Sequence, residues 1–438
     1  MIRLSFVASP FVVIKVIVCI SVVLLSGCQF RPKFFGFEEY QLEHIQTNQF
    51  FLKQNDSVIG QVAAVYSREG ETLPDIARHF SLGFNEIART NKNLDVWQVN
   101  PDSKVLLPLM FILPDAPHRG IVINLANMRL FYYPAPNSDP SIKKVVSFPL
   151  GIGKKGWSTP KGETRIIRKT KAPNWIVPAS IRREHAMKGD PLPAVVKAGP
   201  DNPLGQYALR LGFPGYLLHG TNKPYGVGLR ISHGCVRLYP EHIKTLFNEV
   251  SVGTPVRIVN QAFLLGWRDN MLYLSVHSEA KKQSKKTYKR IKRKLLIELR
   301  KRPEHAGAEV DWFAVKKILA EATGIPSPVL ISNNFQVTPN ENVLIVRRPE
   351  QLFGIPFVPS LSKGDWSVVA SSFFTREPAI KLAAMLNHQG PQIPARVLEK
   401  NDGFQVVAGP FDSKGEAIKI AKRITREFEF DAKVQQIN

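Results

Sequence analysis

Along the chain the apolar positions change rhythm several times. Leu73, Ile76, Ala77 and Phe80 recur at the i, i+3, i+4, i+7 spacing of an amphipathic helix. A second short helix is expected over 84–90, ahead of a strand at 105–108. From 120 to 259 the texture is different. Short runs at 121–125, 130–133 and 145–150, rich in Val, Ile and aromatics and broken by Gly and Pro, predict strands. Turns are expected at 151–153 and 159–162. One helix is expected there, over 241–250, started by Pro240. Farther on, 281–302 places Ile291, Leu295, Leu296 and Leu299 on one side of a basic amphipathic helix, and 324–364 reads as a linker.

The last segment contains an internal repeat. Residues 366–373 recur as 404–411 at an offset of 38 (404 − 366), and Ala379, Ala383 and Leu386 recur as Ala417, Ala421 and Ile424. A third element at 395–397 returns at 432–434, one residue out of step. Two copies of strand-helix-strand predict a four-stranded antiparallel sheet with both helices on one face, a ferredoxin-like plan. The expected fold class is therefore multidomain: a mostly β central domain between a small α+β module and a ferredoxin-like α+β tail.

Composition narrows the setting. The 438 residues carry a net charge of +23, which points to a polyanionic or carboxylate-rich partner. Much of it sits in 281–302, where Lys and Arg face a single acid, Glu298. At the N-terminus, Arg3 and Lys15 precede an apolar run, 16–25, too short for a membrane span and followed by Leu25-Ser26-Gly27-Cys28. This ending resembles a bacterial lipoprotein signal, in which Cys28 becomes the lipidated first residue. Gln29, where an inner-membrane protein would carry Asp, implies the outer membrane and a periplasmic location. Of three cysteines, Cys19 lies in the signal and Cys28 at the lipid site. Cys235 is then a single thiol in an oxidising compartment, worth flagging as reactive.

Its neighbours carry the chemistry. His219-Gly220 is followed by Ser232-His233-Gly234-Cys235-Val236-Arg237. A thiolate is the nucleophile, so a base within reach must take the proton, and His219 and His233 are the candidates. His219 lies 16 residues before the cysteine (235 − 219), too far for one helix face. Both residues close strand-like runs, however, and adjacent strands stand ~4.8 Å apart. The Gly220 carbonyl, unshielded by a side chain, is placed to accept the other imidazole N–H and fix the tautomer. Gly234 permits backbone angles that other residues avoid. The Cys235 N–H is a candidate oxyanion donor, and Arg237 a cation for a substrate carboxylate. No Cys/His set has zinc spacing and there is no phosphate loop, so neither metal nor cofactor is expected.

These residues, with Thr159-Pro160-Lys161-Gly162, Pro200 to Gly205 and Tyr207 to Arg210, resemble the L,D-transpeptidase catalytic domain. The resemblance implies that Cys235 attacks a tetrapeptide stem of peptidoglycan and releases D-Ala. The thioester then passes to an amine, on diaminopimelate of another stem or on a lysine of an outer-membrane lipoprotein. It assigns the base to His219, leaves Ser232 and His233 as supporting residues, and implies acylation of Cys235 by carbapenems. Residues 65–108 resemble a LysM module, and the C-terminal repeat resembles a SPOR domain, which binds glycan strands stripped of their peptides. The expected domains are a signal (1–28), a LysM-like module (62–113), the catalytic domain (114–277), a basic helix and linker (278–362) and the SPOR-like tail (363–438). His185, His242 and His277 are expected on the surface or in strands. Nucleic acid is not an expected partner. Three rivals stay open: a cysteine amidase of the wall, a hydrolase or D-amino-acid exchanger on the same fold, and a non-catalytic scaffold.

Overall fold

The computed structural model describes residues 47–53, 55–135, 143–278, 284–305, 307–331 and 343–437. The export signal and Cys28 lie outside the described residues. No helix among the described residues is long and apolar enough to cross a membrane.

After a short edge strand, Gln49–Leu52 (β1), the chain forms a strand-helix-helix-strand unit: Val58–Tyr66 (β2), Leu73–His79 (α1), Phe84–Thr90 (α2) and Lys104–Ile112 (β3). The two strands pair antiparallel along their full lengths. A capping box starts α1, with Thr72 and Asp75 exchanging side-chain and backbone hydrogen bonds. The unit's core does not end at β3. Val122, Phe131, Tyr133 and Val145 from the next sheet complete it, together with Leu73, Ile76 and Ile87. The module is thus welded to the back of the central domain instead of hanging from it.

That domain comprises Gly120–Asn124 (β4), Arg129–Tyr133 (β5), Lys143–Pro149 (β6), Ile152–Gly153 (β7), Gly162–Lys171 (β8), Trp175–Ile176 (β9), Ala179–Met187 (α3) and Val195–Val196 (β10). It continues through Tyr207–Leu211 (β11), Leu217–His219 (β12), Arg230–Ser232 (β13), Val236–Arg237 (β14), Pro240–Glu249 (α4) and Pro255–Val259 (β15). Nine strands make one sheet, in the order β1-β6-β5-β4-β15-β8-β11-β12-β14. Its inner face buries Ile121, Ile123, Phe148, Leu209, Leu218 and Val236 against Ile243 and Leu246 of α4. The strands and α4 fall where the apolar rhythm places them. The expected turn at 151–153 instead contributes β7, which pairs in parallel with β13.

The junction between module and sheet is polar at its centre. Arg129, fully buried, donates to Glu86 (2.9 and 3.0 Å), to the Ser81 carbonyl (3.0 Å) and to the Ser147 hydroxyl (3.0 Å), with Phe111 stacked 3.8 Å away. Arg78 binds Glu241 through two 3.0 Å hydrogen bonds. Gly228, at φ +92°, presses on Phe84, where a Cβ would lie 2.2 Å from the Phe84 nitrogen. Such backbone contact excludes any side chain at this position.

Residues past 259 depart from expectation. Phe263–Arg268 (β16) and Met271–Val276 (β17) leave the central sheet and form a hairpin, joined by Ser327–Pro328 (β18). Ser284–Arg300 (α5) and Trp312–Glu321 (α6) cover it, and Trp267, Leu274, Ile291, Leu295, Val315 and Leu319 share one core. The stretch expected as basic helix and linker is therefore a small packed unit, and the boundary at 277 cuts through it. Isolated, the hairpin would expose its apolar face, and the helices supply the cover. Leu296, expected on the buried side, is 41% exposed. The rest of the expected linker runs back over the module: Leu344–Ile345 (β19) pairs with β2, and Arg348 pairs with Glu71.

The tail is the expected four-stranded sheet with two helices: Trp366–Phe373 (β20), Arg376–His388 (α7), Ala395–Lys400 (β21), Gly403–Phe411 (β22), Lys414–Phe428 (α8) and Lys433–Gln436 (β23), ordered β21-β22-β20-β23. Ala379, Leu386, Ala417 and Ile424, the repeat positions, are buried between helices and sheet. The end of α7 docks on both other units. His388 lies 2.8 Å from Asp75 of α1, and Tyr225 donates to Gln389 (2.6 Å). Gly390 abuts Asn222 so closely that a Cβ would fall 2.1 Å from the Asn222 carbonyl oxygen.

Candidate active site

Three strands position the site. β12 pairs antiparallel with β11 and parallel with β14, with His219 beside Ala208 on one side and Arg237 on the other. Leu209, Leu218 and Val236 enter the core. By the two-residue alternation of a strand, Arg210, Leu217, His219 and Arg237 share the opposite face. Cys235 stands immediately before β14, so the residues that sequence separates by 16 positions belong to neighbouring strands and the loop that enters them.

The imidazole of His219 is buried, and its Nδ1 donates to the Gly220 carbonyl 2.6 Å away, which leaves Nε2 as the acceptor. Burial, and next the Arg237 charge, push its pKa down to about 3, against weaker opposition from the Gly220 and Leu204 carbonyls. The ring is therefore neutral at physiological pH. The half-buried thiol of Cys235 lies 3.7 Å from the Gly215 carbonyl oxygen. Burial raises its pKa, while the Leu217 amide, Arg237 and Arg210 act the other way. Both groups rest uncharged. A neutral imidazole within reach of a thiol can take its proton as the sulfur attacks.

The loop carrying the thiol is tied down on every side. Ser232 donates to the Cys235 carbonyl (2.6 Å) and accepts from the Gly234 amide (3.1 Å). Thr159, from the Thr159 to Gly162 stretch, donates to the Gly234 carbonyl (2.8 Å) and accepts from the Gly153 amide (3.2 Å). Gly234 has φ +105°, and a Cβ there would meet the Tyr216 ring at 2.8 Å. Across the site, Asn202 is fully buried and donates to the carbonyls of Pro173, Val196 and Lys197, holding the loop before β11.

His233 turns elsewhere. Its Nε2 lies 2.9 Å from Glu184 and its ring meets Trp157 edge-on at 5.0 Å. Glu184, on α3, also accepts from Lys154 (2.7 Å) and Lys188 (2.8 Å), and these contacts, with His233, hold its carboxyl well below the usual range. Arg237 differs again. Its Nε is shielded from solvent and has no hydrogen-bond partner among the described residues.

Sequence reasoning missed Glu184, Lys154 and Trp157, and gave Tyr216 and Arg210 no individual role. Arg210 was within reach, since Leu209 and Leu211 alternate with it on β11. The others meet the site only through tertiary pairing. Of the three histidines expected on the surface or in strands, none lies in a strand and two are buried. His242 is buried on α4, stacked on Phe148 at 4.5 Å and 3.1 Å from Ser81. His185 lies on α3 beside Asp190 (3.1 Å). His277, just past β17, is buried under Gly324.

Residues 118–258 match the family model of the L,D-transpeptidase catalytic domain, YkuD, and residues 362–435 match that of the SPOR domain. Fold and site thus define a β-rich YkuD catalytic domain carrying a peptidoglycan-binding tail. The chain is 35% identical over 277 residues to a Salmonella typhimurium protein named "Probable L,D-transpeptidase ErfK/SrfK", covering 62% of this chain and 88% of that one. It is 40% identical over 225 residues to "Probable L,D-transpeptidase YbiS" of Escherichia coli, covering 50% and 72%. L,D-transpeptidase 3 from Mycobacterium tuberculosis, a solved structure, shares 17% identity with a TM-score of 0.24, over 37% of this chain and 66% of that one. The chain belongs to the L,D-transpeptidase family of peptidoglycan-modifying transferases.

Proposed function

We propose that the protein is a periplasmic, lipid-anchored peptidoglycan L,D-transpeptidase that works through a covalent thioester on Cys235. The observation that supports this reading is the parallel pairing of β12 with β14, which sets His219, its tautomer fixed by Gly220, beside Arg237, two residues after Cys235. In the first step the sulfur attacks the carbonyl joining the third and fourth residues of a tetrapeptide stem. The thiol proton passes to Nε2 of His219. As the C–N bond breaks, that proton goes to the departing D-Ala amine. An acceptor amine then attacks the thioester, gives a proton back through His219, and regenerates the thiol.

The amide of Cys235, following the left-handed Gly234, is the donor for the oxyanion, a contribution of ~3 kcal/mol where it has been removed elsewhere. Arg237 holds a substrate carboxylate, a role supported by its unpartnered Nε. His233, engaged by Glu184, is a positioning residue, as is Ser232. The module at 62–113 is read as LysM-like on its strand-helix-helix-strand plan, and its shared core makes it also the docking base of the enzyme. Cys28 carries the lipid that holds the chain at the outer membrane. The acceptor is diaminopimelate of a neighbouring stem or the lysine of an outer-membrane lipoprotein.

The test compares the parent protein with Cys235→Ala on tetrapeptide muropeptides. D-Ala release by the parent and none by the variant is the expected result. Equal absence of release from both would sink the enzymatic reading in favour of a wall-tethering scaffold.

A further inference from the structure

The central domain and the tail leave one strongly charged surface without a role. Helix α5 carries eight Lys and Arg and one acid, Glu298, within seventeen residues. Its apolar side, Ile291, Leu295 and Leu299, is spent on its own small core. Three cations are also engaged: Lys294 pairs with Asp115 at 2.9 Å, Arg290 lies over the Phe263 ring and Lys292 over the Trp312 ring. The remainder, Lys285, Lys286, Lys289, Arg293 and Arg300, lie exposed on the side away from that core. They make no ion pair among the described residues.

A solvated helix face looks different in this same molecule. On α8, basic residues are interleaved with Glu416 and Glu427, and Arg423 pairs with Glu427 at 3.2 Å. On α5 the neighbours at i, i+4 are like charges: Lys285 with Lys289, and Lys289 with Arg293. Such pairs repel. Lys285 and Lys286 also stand in the first turn, where the helix dipole disfavours cations, and no acid accompanies them. The isolated protein thus bears an electrostatic cost that an anionic surface would relieve.

The face also displays Leu296 (41% exposed) and Ile297 (45% exposed) among its cations. A hydrated polyanion gives aliphatic groups nothing. The boundary between lipid headgroups and acyl chains accepts both kinds of residue at once. We propose that the outward face of α5 is a docking surface for an anionic phospholipid bilayer. It is a second membrane contact beside the proposed lipid on Cys28, and lies within the described residues.

The test is co-sedimentation of the full chain with phosphatidylglycerol-rich and with pure phosphatidylcholine vesicles. Binding is read as the difference between variant and parent, so that the apolar run at 16–25, common to both, cancels. Lys286→Gln, Lys289→Gln and Arg293→Gln together should weaken binding to the anionic vesicles on the order of 100-fold, from three lost cations. They should leave phosphatidylcholine binding unchanged. Leu296→Asn with Ile297→Asn, at constant charge, should weaken anionic binding roughly ten-fold. Lys286→Arg with Lys289→Arg must retain it. The proposal is overturned if the Gln variant binds anionic vesicles like the parent, or if the Arg variant loses binding. It is overturned also if the Asn variant is unaffected while the Gln variant loses binding to a soluble polyanion in equal measure, since the surface would then serve a polymer.

Discussion

Two arginines on distant strands of the central sheet, β5 and β14, show two outcomes of burial. Arg129 sits at the junction with the N-terminal module, and every side of its guanidinium is answered by a carboxylate, a carbonyl, a hydroxyl or an aromatic face. Arg237 sits beside the thiol with a shielded Nε that nothing among the described residues accepts. No carboxylate is paired with it there. A saturated buried cation is a clamp. An unmade hydrogen bond in a shielded site costs energy, and in the proposed function a substrate carboxylate would supply the acceptor for Arg237.

The contrast can be broken in a definite order. His219→Gln keeps the strand and removes the proton acceptor, so D-Ala release should fall ~10²- to 10⁴-fold with the melting temperature preserved. A variant that kept its rate would shift the base to His233. Arg129→Ala leaves Glu86 buried without its partner, and denaturant titration should show a loss of about 3–5 kcal/mol. Arg129→Met combined with Glu86→Leu should recover most of that loss, which a purely steric role for Arg129 would not allow. Arg237→Ala should do the reverse of Arg129→Ala. It should leave stability intact, and lower kcat/KM for tetrapeptide about 10- to 100-fold, as expected for losing a hydrogen bond to a charged group.

The finest discrimination comes from pH. His219 and His242 are held down near 3, and His277 near 4, each chiefly by burial. For a histidine kept neutral in the fold, the unfolded chain binds more protons between the folded value and about 6.5. Stability is therefore fully present above pH 6.5 and falls as pH drops toward 3 or 4. At pH 5 each such residue should forfeit about 2 kcal/mol. His388, raised despite burial by Asp75, opposes the trend. Melting should therefore move down by several degrees between pH 7.5 and 5, while His219 stays unprotonated and able to act as base. If activity fell in step with a single imidazole near 6.5, the buried-base picture would fail.

What the sequence disclosed follows the range of the interactions involved. Residues 121–125, 130–133 and 145–150 announced strands because side-chain shape and Gly/Pro punctuation act locally. The tail announced itself through its offset of 38, since a repeat needs no tertiary information. His219 was readable because its backbone partner, Gly220, is next in sequence, and Cys235 because Ser232, which holds its carbonyl, is three residues away. By contrast α3 buries only Ile181 and shows little apolar rhythm, so its Glu184 stayed hidden although it ties Lys154 to His233. The hairpin of β16 and β17 fell within the expected bounds of the catalytic domain, 114–277, because nothing local reveals that α5 and α6 will cover it. Likewise, Val122 and Phe131 face the module only because β4 and β5 present two buried faces.

The seat of Gly390 against Asn222 lies three residues beyond His219 in the chain, with the two preceding residues, His388 and Gln389, fastened to Asp75 and Tyr225. A tail anchored so near the reacting atoms is a foot, not a tether. Wherever it stands on the sacculus, the thiol is carried at a set stride from that footing. The stems it can reach are then chosen by geometry before any recognition of their chemistry begins.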